Sequence, residues 1–434
     1  MRKNLEEIRL NPRIQGLSRS ATLMINERSD ALRRADKKIY KCGLGQSPFP
    51  VPTEVVNTLK LHAHEKDYLP VKGLPALREA VADFHRRKDH VDAQPYGVLV
   101  GPGSKELLFL LQLVFDGEII VPTPCWVSYV PQAKILGRQV HLVHTQFADQ
   151  WRLLPDRLAD ICKRNGQHPR ILVLNYPGNP DGASYTIEEL KALADIARRF
   201  GLIVLSDEIY GQLHHRGEHV SIARFYPEGT IISSGLSKWC GAGGWRLGTF
   251  TFPQQLWALL EGMAVVASET YTSVSAPIQY AAVRAFRGGI GVERYLWHAR
   301  RILAALAQHC TTMLTSVGVQ GHLPVGAFYL FLDFSPFTTA LAQRGIDKSS
   351  VLCERLLHDT GVALLPGVAF HRAPEELTAR MAYVNFDGAK VLAASETIPL
   401  DQSLPEDFIP FWCEDVIEAT HRIVHWLAQC RSGH

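Results

Sequence analysis

Apolar positions in the middle of the chain switch between short unbroken runs and a helical spacing. Ile171-Leu172-Val173-Leu174 is an unbroken run, the pattern of a strand buried on both faces of a parallel sheet. It ends in Asn175-Tyr176-Pro177-Gly178-Asn179-Pro180-Asp181-Gly182, a dense cluster of turn residues. Thr186 and Glu189 then form a capping box, and Leu190, Leu193, Ala194, Ala197 and Phe200 recur at helical spacing as far as Gly201. Leu202-Ile203-Val204-Leu205 is the next run and ends at Ser206-Asp207. The pattern predicts a βαβ unit with parallel strands and a right-handed crossover.

The same reading extends in both directions. Thr230-Ile231-Ile232-Ser233 predicts a strand that opens toward Lys238. Val98-Leu99-Val100 predicts another, which turns at Gly101-Pro102-Gly103 into a helix from Ser104 through Leu107, Leu108, Leu111 and Val114. Ile119-Ile120-Val121 leads to Pro122-Thr123-Pro124-Cys125-Trp126. In an open parallel sheet the carboxyl ends of the strands share one edge, where ligands bind. Asn179, Asp207, Lys238, Trp126 and the glycine turn at 101–103 therefore meet there. Beyond about residue 285 the pattern changes. Tyr295 to Leu314 predicts one long helix, and Gly326 to Leu332 a strand. We expect a large domain over residues 51–310 and a smaller α/β domain from residues 1–50 and 311–434. Lys390 to Pro410 reads as a loop-like insertion that could cover the site or serve only the surface.

Composition narrows the class. The 434 residues are 46% hydrophobic and 21% charged, enough for one large core and a smaller one. Lys+Arg 46 against Asp+Glu 43 leaves no electrostatic footprint for nucleic acid. Arg198-Arg199 and Arg86-Arg87-Lys88 read as solvated helix faces. Eight scattered cysteines without a CxxC pair read as reduced thiols in a cytoplasmic protein. No HExxH spacing is present and no metal site is predicted; His62/His64 and His214-His215 read as surface residues. No apolar run reaches membrane-spanning length, since even Trp257 to Ala267 is interrupted by Glu261. Met1 to Arg13 is charged and does not read as a secretory signal.

The candidate chemistry centres on Lys238. It is followed eight residues later by Arg246, within Lys238-Trp239-Cys240-Gly241-Ala242-Gly243-Gly244-Trp245-Arg246. A lysine amine forms a Schiff base with an aldehyde, and an arginine binds phosphate. Pyridoxal 5'-phosphate (PLP) carries both groups. Its chemistry needs a carboxylate that keeps the pyridine nitrogen protonated, and Asp207 is the candidate, although it also fits a helix N-cap. Asn179 and Tyr210 could bond the ring oxygen, although Asn179 also fits a plain turn. Trp126 could stack on the ring, or be an ordinary core aromatic. Ser104, Ser237 and Arg246, with the Gly103–Lys105 backbone, could hold the phosphate. The glycine runs fit neither a P-loop nor a dinucleotide fingerprint.

Several motifs occur in one order along nearly the whole chain. They are Gly45-Gln46-Ser47-Pro48-Phe49, Tyr68 to Arg78, Pro124 to Tyr129, Asn179-Pro180-Asp181-Gly182, Ser206 to Tyr210, Ser237 to Gly248 and Arg380-Met381-Ala382-Tyr383. In these the chain resembles the class I/II aminotransferases of fold-type I, the aspartate aminotransferase superfamily, in its bacterial-type branch. The resemblance implies a mostly parallel seven-stranded sheet between helices, a PLP cofactor and a homodimer. It implies that Lys238 is the Schiff-base lysine and proton shuttle, and that Asp207 pairs with the ring nitrogen. Asn179 and Tyr210 would serve the ring oxygen and Arg246 the phosphate. Tyr68 would reach the neighbouring subunit's cofactor. Arg380, with Gly45 close by, would grip the substrate α-carboxylate. Lys105 would read a distal carboxylate, with glutamate and 2-oxoglutarate as one substrate pair, although it also fits a solvated lysine in the first turn of its helix. Two positions depart from the family pattern: Gly235 stands where many relatives carry a phosphate-binding serine, which Ser237 or Ser234 would replace, and Asp181 stands where threonine is commoner. The same fold also hosts lyases and racemases, and a catalytically silent PLP binder is the other alternative.

Overall fold

Seven of the apolar segments pair into one sheet. In chain order they are β1 (Val98–Gly101), β2 (Glu118–Thr123), β3 (Val140–His144), β4 (Arg170–Asn175), β5 (Ile203–Asp207), β6 (Thr230–Gly235) and β7 (Gly248–Thr251). The structure is a computed structural model and describes residues 10–17, 21–35, 37–164 and 168–432. The spatial order is β1-β7-β6-β5-β4-β2-β3, with only β7 antiparallel to its neighbours. Alternate residues of each buried strand feed opposite layers, as the two-residue period of a strand requires. Ile119, Val121, Ile171, Val173 and Leu205 face the helix Ser104–Val114 through Leu107, Leu108 and Leu111. Ile120, Leu172, Leu174 and Val204 face the helix Ile187–Arg199 through Leu190, Leu193, Ala194 and Ala197. Each fully buried leucine or isoleucine contributes about 1.5–3 kcal/mol, so two such layers fix the sheet's register.

Local signals act where the spacing predicts. Thr186 accepts from the Glu189 backbone N–H at 3.2 Å, and Glu189 accepts from the Thr186 N–H at 2.8 Å. Gly201, at φ +62°, turns the chain out of that helix and into β5. The register pairs Asn175 with Asp207 and Asp207 with Ser233, so three polar residues share one row at the carboxyl edge.

A second sheet has order β9-β10-β8, from β8 (Tyr329–Asp333), β9 (Leu365–Pro366) and β10 (Thr378–Ala382), all antiparallel. Tyr40–Lys41 pairs in parallel with Val362–Ala363, which ties the N-terminal segment to the C-terminal half. The helix Ile290–Ser316 runs across the boundary expected at residue 310.

Three expectations need correction. The strand expected from Gly326 starts only at Tyr329, because Ala327 takes φ +56° and gives its N–H to the Leu213 carbonyl. The stretch Lys390 to Pro410 is not a loop: Gly388–Glu396 is a helix capped by Asp387, and Phe408–Trp412 is a short second one. Arg301 donates to the carbonyls of Ser395, Ile398, Pro399 and Gln402 and pins this segment to the long helix Ile290–Ser316. His214 is buried rather than on the surface, and His215 is half-buried. Burial pushes each of their imidazoles down to about 4. His64 is exposed, while His62 lies half-buried against the Tyr280 ring at 4.5 Å. Of Met1 to Arg13, residues 1–9 lie outside the described residues. Among the described residues no helix is long and apolar enough to cross a membrane.

Candidate active site

The carboxyl edge of the large sheet opens into a cavity of about 450 Å³. Gly45, Ser104, Lys105, Trp126, Asn179, Asp207, Tyr210, Ser237, Lys238 and Arg246 all line it. Its size lies within the roughly 300–1,000 Å³ of small-molecule sites.

Lys238 follows β6 and donates from Nζ to the Gly45 carbonyl at 2.6 Å. Burial lowers its pKa to about 7, and Arg380, Arg246 and Lys105 push in the same direction while Asp207 opposes them. Half of such an amine is uncharged near neutral pH, which is the form that attacks a carbonyl. Asp207 closes β5 and is buried. Burial raises its pKa, and three donors oppose that shift: Tyr129 at 2.6 Å to Oδ2, Ser233 at 3.3 Å to Oδ1, and the Ile209 backbone N–H. Neither side-chain donor carries a role in the sequence reading. Their signal lies in the pairing of Asp207 with Ser233 across the sheet, and in Tyr129 opening the helix Tyr129–Leu136 directly after the Trp126 loop.

The anion-binding end is built by backbone. The helix Ser104–Val114 begins at the cavity wall after Gly103, whose φ is +93°. A Cβ at Gly103 would collide with the Arg246 guanidinium, so only glycine lets the arginine lie against the helix start. Arg246 donates to the Gly243 carbonyl at 3.1 Å and the Pro102 carbonyl at 3.3 Å, which aims it beside Ser104 and Ser237. The departure at Gly235 has a steric cause: a Cβ there would lie 2.8 Å from the Leu247 carbonyl. Of the two replacement serines, Ser237 lines the cavity and Ser234 is buried in β6.

Arg380 comes from β10 and is buried beside the cavity. It donates to Asn179 Oδ1 at 2.8 Å and to the Gly43 carbonyl at 2.6 Å, and its Nε has no partner. Its guanidinium packs on the rings of Tyr329 and Phe370 at 4.5 and 5.1 Å. Tyr329 also bonds the Tyr210 hydroxyl at 2.7 Å, and a Cβ at Gly45 would collide with that same Tyr329 hydroxyl. Lys105 Nζ stands 5.2 Å from the Trp126 ring, with its pKa lowered first by burial and then by Arg246. Gly103 and Arg380 lie behind the lining residues, and Tyr68 is outside the lining too and 88% exposed. Behind Asp207, Glu208 accepts from His219 at 2.8 Å, from Ser206 at 2.7 Å and from Ser221 at 2.5 Å. Asp89 lies within 4.8 Å of that pair and is itself bonded to His85 at 2.6 Å, so the buried polar group braces the end of β5.

These residues fit PLP. The cradle at Gly103, Ser104 and Arg246 is anion-ready, Asp207 supplies a buried carboxylate, and the Lys238 amine lies in the same cavity. The match to known proteins agrees with the geometry. The model of the family "Aminotransferase class I and II" matches residues 37–394. An aspartate aminotransferase of Geobacillus stearothermophilus is 31% identical over 386 residues, covering 87% of this chain and 94% of the relative. An aspartate/prephenate aminotransferase of Thermus thermophilus is 33% identical over 368 residues, 83% of this chain and 91% of the relative. The solved aspartate aminotransferase of Thermus thermophilus with maleate superposes at a TM-score of 0.82 with 28% identity, covering 96% of this chain and 99% of that one. The chain belongs to the class I and II aminotransferases and has their fold-type I architecture. It is a PLP-dependent transferase of amino groups.

Proposed function

We propose that this enzyme moves the amino group between an acidic L-amino acid and a 2-oxo acid, with glutamate/2-oxoglutarate as one pair. The observation that carries the reading is charge. Lys105, Lys238 and Arg246 line the cavity, Arg380 lies buried beside it, and Asp207 is the carboxylate among the lining residues. Arg246 and the helix start match a cofactor phosphate, and Arg380 matches a substrate α-carboxylate. Lys105 is left over and exposed at the cavity, and a second substrate carboxylate would pair with it. The solved Thermus relative holds maleate, a dicarboxylate, and the relatives are named for aspartate, which agrees.

When bound, PLP supplies an aldehyde that condenses with amines and a ring that withdraws electrons from the substrate Cα. The chain's own groups do the rest. Arg246, Ser104 and Ser237 bind the phosphate. Asp207, whose ionised form Tyr129 and Ser233 favour against burial, would keep a proton on the ring nitrogen. Asn179 and Tyr210 bond the ring oxygen, and Trp126 covers one ring face and excludes water from it. Arg380 turns the substrate so that its Cα–H faces Lys238, and the neutral Lys238 amine takes that proton and returns it.

The exposed Tyr68 belongs, in this reading, to a homodimer in which each subunit reaches the other's cofactor phosphate. Eight buried, unpaired cysteines suit a reducing cytoplasm. Residues 51–310 act as the large domain, and 1–50 with 311–434 as the small one, which carries Arg380.

Borohydride treatment of the PLP-loaded protein, followed by peptide mapping, tests the core of this reading. The cofactor should be fixed on the peptide containing Lys238, and a donor panel with 2-oxoglutarate should return glutamate. Fixation on another lysine would overturn the assignment of the site.

A further inference from the structure

Arg372 does not line the cavity, yet it is buried and all its polar atoms are engaged. Its Nη1 donates to the carbonyls of Thr123 and Thr145, both at 3.0 Å. These carbonyls stand at the carboxyl ends of β2 and β3 in the large sheet. Its Nε and Nη2 pair with the two oxygens of Glu376 at 2.7 and 3.0 Å, a bidentate grip. The guanidinium also lies 5.0 Å from the Trp151 ring. Arg372 itself belongs to the other sheet's side: it ends a strap that begins at Gly367, closed by its own N–H to the Gly367 carbonyl at 3.2 Å.

That strap lies between the two walls of the site. Phe370, two residues before Arg372, packs under the Arg380 guanidinium at 5.1 Å. The Phe370 carbonyl accepts from the Cys125 N–H at 3.2 Å, next to Trp126 in the cavity wall. Arg380 and Trp126 thus keep their spacing through one short segment, and Arg372 is the side chain that fastens this segment to the large sheet.

We propose that Arg372 is a positioning residue that sets substrate affinity, with Glu376 orienting it, by fastening the strap 367–372 between Arg380 and the Trp126 loop. The inference rests on the reading of Arg380 as the substrate-carboxylate clamp. Releasing the strap lets Arg380 and the opposite wall drift, which weakens capture of both substrates and leaves the phosphate cradle at Ser104, Ser237 and Arg246 intact. A 1 Å misplacement far from the chemistry is enough to be felt kinetically.

The test uses the PLP-loaded enzyme with Arg372→Met, Arg372→Lys and Glu376→Gln, and Arg380→Lys as a control. The readouts are KM, kcat, visible cofactor absorbance and Tm. In Arg372→Met we expect KM to rise about tenfold for both the amino donor and the oxo acceptor, with any fall in kcat smaller than the rise in KM and the absorbance changed less than about twofold. Arg372→Lys restores part of the affinity, and Glu376→Gln shows a smaller KM rise. Should Arg372→Met fail to fold, the other two variants decide. Unchanged KM in the folded variants, or a fall in Tm or kcat alone, would overturn the proposal. A normal KM in Arg380→Lys would remove the clamp reading itself. Impaired Arg380→Lys beside normal Arg372 variants would remove only the role of Arg372.

Discussion

The Tyr129 hydroxyl donates to Asp207 Oδ2 at 2.6 Å, and both side chains are buried. Burial drives the Asp207 carboxyl toward its neutral form, and this bond is the largest interaction that opposes it. The working state of Asp207 therefore depends on a residue that lines the same cavity from the start of the helix Tyr129–Leu136.

Replacing Tyr129 with Phe removes that donor and leaves the ring. Hydrogen bonds to charged groups contribute about 1.5–3 kcal/mol, so kcat/KM should fall roughly 10- to 100-fold. The sign of the pH effect follows from the cause. The lost donor favoured the ionised carboxylate, so the Asp207 pKa, already raised, moves higher still. The ionised form then persists only at higher pH, and the acid limb of kcat/KM should shift upward. An acid limb that stays in place would show that Ser233 and the cofactor suffice to hold Asp207 ionised.

The sheet and the centre of the site were legible because their signals are local. Unbroken apolar runs, the Thr186–Glu189 box and the 101–103 glycine turn each sit within one element, and the shared strand edge then brings Asn179, Asp207 and Lys238 together. What escaped depends on distant partners. Tyr129 meets Asp207 across 78 residues, and Arg372 meets Thr123 across 249. His214 is covered by a return of the chain, where its neighbour His215 gives its backbone N–H to the Val325 carbonyl. The helix Gly388–Glu396 escaped for a different reason. Its cap, Asp387, lies before the stretch taken as an insertion, and Ala389, Ala393 and Ala394 mark no apolar stripe strongly.

The exposure of Tyr68 bears on assembly. A tyrosine 88% exposed, bounded by Asp67 and Leu69 in an exposed turn, gains little from the chain that carries it. If it completes the neighbour's phosphate site, Lys238→Ala and Tyr68→Phe protomers should complement each other. In the mixed dimer one site carries both lesions and the other carries neither. Mixing the two inactive or weakened proteins should therefore restore activity toward one intact site per heterodimer. A monomer of full activity at low concentration, or no recovery in verified heterodimers, would count against a shared site.

In the proposed reading, Lys105 sets the preference for an acidic substrate. It is the second residue of a helix, where a cation opposes the helix dipole, and it is partly desolvated beside Arg246. Both effects cost free energy, and a carboxylate placed between Lys105 and Trp126 offsets them. The segment Glu261 to Gln279, from which one branch of the family supplies an arginine for this task by resemblance, contains neither arginine nor lysine. With Arg246 read as the phosphate ligand and Lys238 as the proton carrier, Lys105 is the remaining cation among the residues that line this cavity. Lys105→Ala should lower kcat/KM for glutamate and aspartate by about tenfold or more, for a loss of ~1.5 kcal/mol, and leave phenylalanine and alanine nearly unchanged. The comparison of donors is the measurement that matters. Equal losses for acidic and neutral donors would assign Lys105 to the cofactor phosphate or to the fold, and the pocket would then be one for a neutral side chain.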